Sequence, residues 1–316
     1  MTARDNQRSK FPGLGVRTIV LTFSLGILLC STIWAQDPPA QATVEPSATT
    51  YTFQNIVYPG DTFVQLLGIN DWGLIAGYHG SGATSQPNKG FLLTLPNHFA
   101  AENFPNSAQT QVTGVDVTGR TVGFYVDANG NTFGFFHSGV GYRSVWYPGT
   151  TFNQLLGINN LGQSAGYYAD SAGNDHGYTF AYTANLYQLL TFVAPWFVSV
   201  QQTGINDLGE ICGFYVDGNG VNHGFTLNGG TFTTLDYPGS TFTQALGLNN
   251  SGWVVGSYMD SAGLSHGFVY SKPNFVSIDD PDGVGTTTVN GINRYGKLVG
   301  FYVDSNGNTD GFVATP

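Results

Sequence analysis

Residues 237–270 read YPGSTFTQALGLNNSGWVVGSYMDSAGLSHGFVY, and the fold is decided in this stretch. Three runs rich in β-branched and aromatic residues (Thr243–Leu248, Trp253–Met259 and His266–Tyr270) are separated by Asn249-Asn-Ser-Gly252 and Asp260-Ser-Ala-Gly263. Asn or Asp opens a type I turn, and glycine accepts the positive φ that closes it. A fourth run, Thr231–Tyr237, precedes the proline. The pattern is that of short antiparallel strands joined by tight turns.

The unit recurs. A Gly-apolar-Asn/Asp motif begins at Gly68, Gly114, Gly157, Gly204, Gly247 and Gly291. A second glycine follows five residues later each time, and a proline (Pro59, Pro105, Pro148, Pro195, Pro238 or Pro281) precedes by nine or ten. Six copies of about 44 residues therefore fill residues 51–316. A longer period is superimposed. Copies one, three and five carry YPGDTFVQLLGIN, YPGTTFNQLLGIN and YPGSTFTQALGLN, while copies two, four and six carry GFYVD after their second glycine.

Four strands in such a unit make one propeller blade, which cannot cover its own apolar faces. The expected fold is all-β, a six-bladed β-propeller. An open β solenoid and a sandwich are the competitors. In every internal junction the last strand of one copy is followed by the first strand of the next. The N-terminal strand, Tyr51–Val57, is therefore expected to pair with the C-terminal one, Gly311–Thr315, and close the ring.

Composition agrees. Only 9% of the 316 residues are charged, 14% are aromatic and 44 are glycine, and Glu occurs only at Glu45, Glu102 and Glu210. This disfavours helices and charge-rich disorder. Residues 1–35 differ: Arg4, Arg8, Lys10 and Arg17 precede an apolar run from Thr18 to about Ile33. That is the design of a secretory signal, with Ala35 as a cleavage position and an uncleaved anchor as the alternative. Leu29 before Cys30 disfavours a lipobox. Residues 36–50, rich in Pro, Ala and Thr, read as a flexible linker. Localisation is expected to be secreted or periplasmic, with membrane contact only through the N-terminal segment, and the chain is expected to be a monomer.

Residues 36–316 keep six basic and nineteen acidic side chains, a net charge of −13. Nucleic acid binding is excluded, because phosphate neutralisation needs basic clusters. One cysteine, Cys212, remains, so no internal disulfide forms; its apolar surroundings suit an inert buried thiol.

The unit GINNxGxxxGxYxDSAGxxHGF resembles the bacterial extracellular HAF repeat family, whose His-Ala-Phe signature is matched at His176-Gly-Tyr, His223-Gly-Phe and His266-Gly-Phe. Glycine replaces the alanine, and Lys89, Phe133 and Asp310 replace the histidine in other copies. The resemblance spans residues 51–315 and implies export and repetition, with no catalytic or binding residues to carry over.

Chemistry is sparse in these residues. Asp127-Ala-Asn-Gly-Asn131 and Asp304-Ser-Asn-Gly-Asn308 alternate oxygens as calcium loops do, but lack the bidentate Glu. Asx-type turns explain them, and neither metal nor cofactor is expected. The histidines, in equivalent positions of successive blades, point apart and are read as strand-end packing. Asp279, Asp280 and Asp282 cluster, and exposed turn residues are the expectation there.

Strand alternation puts the Asp-x-x-Gly turns and Tyr-Pro-Gly linkers on one face of the ring. The candidate ligand-binding face is therefore Tyr58, Tyr147 and Tyr237 with Asp127, Asp170, Asp217, Asp260 and Asp304. The expected function is a non-catalytic secreted protein binding carbohydrate or a cell-envelope polymer. The alternative is a propeller hydrolase or lyase acting on polysaccharide.

Overall fold

The computed structural model describes residues 50–182 and 197–316, together with the backbone strand 186–189. The expected signal peptide with Cys30, nearly all of the expected linker, and Pro195 lie outside the described residues.

The chain is a six-bladed β-propeller of four-stranded antiparallel sheets. Blade one runs from Val64 to Ala101, blade two from Gln109 to Val145 and blade three from Asn153 to Leu189. Blade four runs from Ser199 to Leu235 and blade five from Phe242 to Ile278. Blade six joins three C-terminal strands, Thr288–Ile292, Leu298–Val303 and Thr309–Thr315, to the N-terminal strand Thr52–Ile56. The closing pair is antiparallel, with Thr52 opposite Thr315 and Ile56 opposite Gly311. The expected closure is present, and it shows that the sequence copy and the blade are offset by one strand. The first strand of each copy is the outer strand of the preceding blade.

Stability resides where blade faces meet. The third-strand aromatics Phe91, Phe135, Tyr178, Phe225, Phe268 and Phe312 are fully buried, one per blade. Each such ring contributes roughly 2–3 kcal/mol of burial. Cys212 is buried among Leu235, Ala245, Val254 and Phe268. Burial pushes its thiol up to about 12, which leaves no thiolate at neutral pH.

The two motif glycines do different work. The second is the turn residue, as expected: Gly252 has φ 74° and its N–H donates to the Asn249 carbonyl at 3.1 Å. The first belongs to no turn. Gly247 sits in the innermost strand just after a β-bulge, where neighbouring blades approach the axis. A Cβ there would lie 2.5 Å from the Asn290 carbonyl oxygen and 3.3 Å from Gly291 Cα. The first glycine therefore serves packing and not the turn: it permits neighbouring backbones to crowd one axis.

Candidate functional site

Asn249 illustrates how the turns build a site. Its Oδ1 accepts the N–H groups of Ser251 and Trp253 at 3.0 and 3.1 Å, which caps its own turn. Its Nδ2 donates to the Asn293 carbonyl in the next blade at 3.1 Å. The same link runs from Asn159 to Asn206, from Asn206 to Asn249, from Asn293 to Asn70 and from Asn70 to Asp116. All six side chains are buried, and together they form an amide ring around the axis.

Blade two departs from the pattern with Asp116, which has no amide donor. Arg120 compensates. Its Nε donates to the Asp116 carboxylate and its Nη2 to the Asn160 carbonyl at 2.8 Å, so the junction to blade three stays bonded.

One residue further along each turn a second ring lines the mouth: Asp71, Val117, Asn160, Asp207, Asn250 and Arg294. Asp207 accepts from the Asn160 backbone N–H at 2.7 Å, from Asn160 Nδ2 at 2.8 Å and from Asn250 Nδ2 at 2.7 Å. On the other side the Arg294 N–H donates to Asp71 Oδ1 at 2.9 Å, and its guanidinium lies 4.6 Å from the Tyr295 ring centre. The next positions, Trp72, Thr118, Leu161, Leu208, Ser251 and Tyr295, form an exposed rim, with Trp72 76% exposed. The mouth is itself an open depression of about 560 Å³, lined by this second ring together with Trp72 and Ser251 and within the size range of small-ligand sites.

The eight residues named from the sequence lie on the opposite face, and all are partly buried. Tyr58 stacks on His79 at 3.6 Å, Tyr147 on Tyr168 at 4.3 Å and Tyr237 on Tyr258 at 3.6 Å. In each case the linker tyrosine packs onto the second strand of the blade it enters. The five aspartates cap their own turns. Asp260 Oδ1 accepts from Ala262 and Leu264 N–H at 2.8 and 2.9 Å, and Asp127, Asp170, Asp217 and Asp304 repeat the pattern. Hydrogen bonding holds these carboxyls below the usual carboxylate range, with Asp170 at about 2 under the influence of His176.

The histidines lie at these strand ends. His266 Nδ1 is 2.9 Å from Asp279 and its Nε2 3.5 Å from Asp260, and His223 lies between Asp236 and Asp217 in the same way. Among the described residues no three metal-ligating side chains converge on one point.

Blade six breaks the symmetry. Asp280 stands where copies one, three and five have the stacked tyrosine, and Asp310 stands where copies three to five have the histidine. The expectation of exposed turn acids fails at Asp280, which is wholly buried, because its linker folds down over Tyr302. Its Oδ1 accepts the Asp282 N–H at 2.9 Å, while Oδ2 has no hydrogen-bond partner among the described residues. Burial, with the carboxylates of Asp282 and Asp310 nearby, raises the Asp280 pKa.

The axial mouth was legible only as turn chemistry in the sequence. The available signal was that the residues following the turn asparagine vary among copies, while the turn itself does not.

The fold and site define the class: a six-bladed β-propeller with a polar axial mouth. Among solved structures, the chain is similar to a putative TolB from Agrobacterium tumefaciens, at 8% identity and a TM-score of 0.56, over 80% of this chain and 91% of that one. It is also similar to the six-bladed fungal lectin of Aleuria aurantia, described as having a novel fucose recognition mode, at 12% identity and a TM-score of 0.45, over 68% and 77%. A mutant of AofleA from Arthrobotrys oligospora aligns at 11% identity and a TM-score of 0.48, over 86% and 85%. At these identities the likeness is one of fold. No family model and no curated protein matches the chain.

Proposed function

We propose that this protein is an exported, non-catalytic HAF-type repeat propeller that binds carbohydrate, including cell-envelope polymers, at its axial mouth. The observation that carries this reading is the mouth itself. There the Asn160–Asp207–Asn250 relay offers fixed oxygens and amide groups to hydroxyls, and the exposed Trp72 offers an apolar ring face to sugar C–H groups. On the opposite face the linker tyrosines have a ring face covered by stacking, whereas Trp72 is 76% exposed.

The hydrolase or lyase reading would draw on the acids of blade six. Its strongest candidate, Asp280, is wholly buried and so gives a substrate no access.

A glycan array probed with residues 36–316 tests the reading. Binding is expected, and Trp72→Ala and Asp207→Asn should each weaken it about tenfold or more. Tyr147→Ala and Asp170→Asn should leave it unchanged. The reverse result would move the seat to the opposite face, and no glycan bound would end the carbohydrate reading. Export is tested by expressing the full chain in a bacterial host and sequencing the mature N-terminus, with Gln36 expected first.

A further inference from the structure

The rim of the mouth is not six-fold. In ring order it reads Trp72, Thr118, Leu161, Leu208, Ser251 and Tyr295, one residue per blade from one to six. Four are large and apolar, between 61% and 76% exposed. The two small polar ones, Thr118 and Ser251, belong to blades two and five, which face each other across the axis of a six-membered ring. The large side chains are thereby grouped into two walls. Tyr295 and Trp72 stand on adjacent blades six and one, and Leu161 and Leu208 on adjacent blades three and four. Between the walls, at two opposite points, the rim side chains are small.

The floor follows the same division. Arg294 and Asp71 pair under the aromatic wall, the Arg294 Nε lying 3.8 Å from the Asp71 carboxylate. Asn160 and Asp207 pair under the leucine wall. Val117 and Asn250 lie toward the two open ends.

We propose that the mouth is a trough, open at blades two and five, that holds the interior of a linear uncharged glycan lying across the ring. This rests on the carbohydrate reading above and deepens it. A chain end needs a pocket closed on all but one side, whereas this rim is open at both ends of a line through the axis. Apolar side walls suit the faces of successive sugar rings, and the amide and carboxylate floor suits their hydroxyls. Charge selects against a polyanion. The mouth carries two carboxylates, its one guanidinium is already paired with Asp71, and residues 36–316 have a net charge of −13.

The test uses residues 36–316 and ladders of cello-, manno- and xylo-oligosaccharides, each also with its reducing end reduced and its non-reducing end blocked, measured by titration calorimetry. In one ladder, affinity should rise with length and then level off, and blocking both ends should change it less than about twofold. Thr118→Trp and Ser251→Trp, placed independently at the two openings, should each weaken the long members about tenfold and spare the disaccharide. Both positions are exposed turn sites, and a circular dichroism melt verifies each fold.

Affinity independent of length, or lost when the ends are blocked, would show a seat for chain ends and overturn the trough while leaving carbohydrate binding intact. The trough is likewise overturned if two well-folded tryptophan variants bind long chains normally, or if only charged or branched glycans bind. Failure to bind any glycan, on the ladders and on the array, would overturn both readings.

Discussion

Asn293 Nδ2 lies 3.3 Å from the carbonyl oxygen of Asn70, a residue 223 positions earlier in the chain, and this bond joins the last blade to the first. The ring is thus closed near the axis, by this amide and by the Arg294 N–H on Asp71, and at the periphery by pairing of Thr52–Ile56 with Thr309–Thr315. Each ring amide satisfies groups in two blades at once, so its loss is felt on both sides of a blade junction.

Asn249→Ala should therefore destabilise the fold by about 1–3 kcal/mol, since it removes the inter-blade bond to the Asn293 carbonyl and leaves the Ser251 and Trp253 N–H groups without their acceptor. Urea unfolding followed by fluorescence measures this. Asn250→Ala, at the more exposed neighbouring position, should cost less.

Arg120 and Asp116 should behave as a coupled pair. Arg120→Met leaves a buried carboxylate without its cation, and a loss of about 2 kcal/mol is expected, below that of a fully buried pair because Arg120 is partly exposed. Adding Asp116→Asn should recover much of the loss, because asparagine is what the other five blades carry. A double-mutant cycle reads the coupling, and additive effects would refute it.

Removal of the closing strand should be far more damaging than its length suggests. Without residues 50–57 the outer edge of Thr309–Thr315 loses its partner, and Ile56 and Phe53 leave their contacts with the core, where Phe53 lies 5.4 Å from Phe312. Such a chain should lose the cooperative thermal transition and associate through the exposed strand. Ile56→Ala alone should cost about 2–4 kcal/mol.

Asp280 should make stability rise on mild acidification. The pKa values of Asp280 and Asp310 are raised above 3.8 in the folded chain, so the native state binds more protons than the unfolded state in the window above about 4. Their unfavourable contribution is full at neutral pH and fades as pH falls through the raised values. Asp280→Asn should raise the melting temperature at pH 7 and flatten its change between about pH 4 and 7. Below that window the lowered pKa values of Asp127, Asp170, Asp217, Asp260 and Asp304 act oppositely, and stability should fall again.

From the residues alone came the strands, the turns, the sixfold count and the closing pair. Each is local, or follows from a repeat whose spacing hardly varies. In copy five the expected inner strand Thr243–Leu248 is the observed Phe242–Leu248, and the expected Trp253–Met259 is the observed Val254–Met259. Gly252 was readable as a turn residue because a left-handed backbone is a property of the turn itself.

Gly247 was not readable, because its constraint is the Asn290 carbonyl of another blade. The exposed appearance of Asp280 was misleading for the same reason: its burial is decided by how the linker lies on Tyr302. The mouth belongs wholly to the tertiary structure. Asn160, Asp207 and Asn250 stand 47 and 43 residues apart in sequence and within hydrogen-bond distance in space. Only closure of the ring brings equivalent turns to one axis, and there the small differences among copies, Thr118 and Ser251 against Trp72, Leu161, Leu208 and Tyr295, add up to a shape that no single repeat contains.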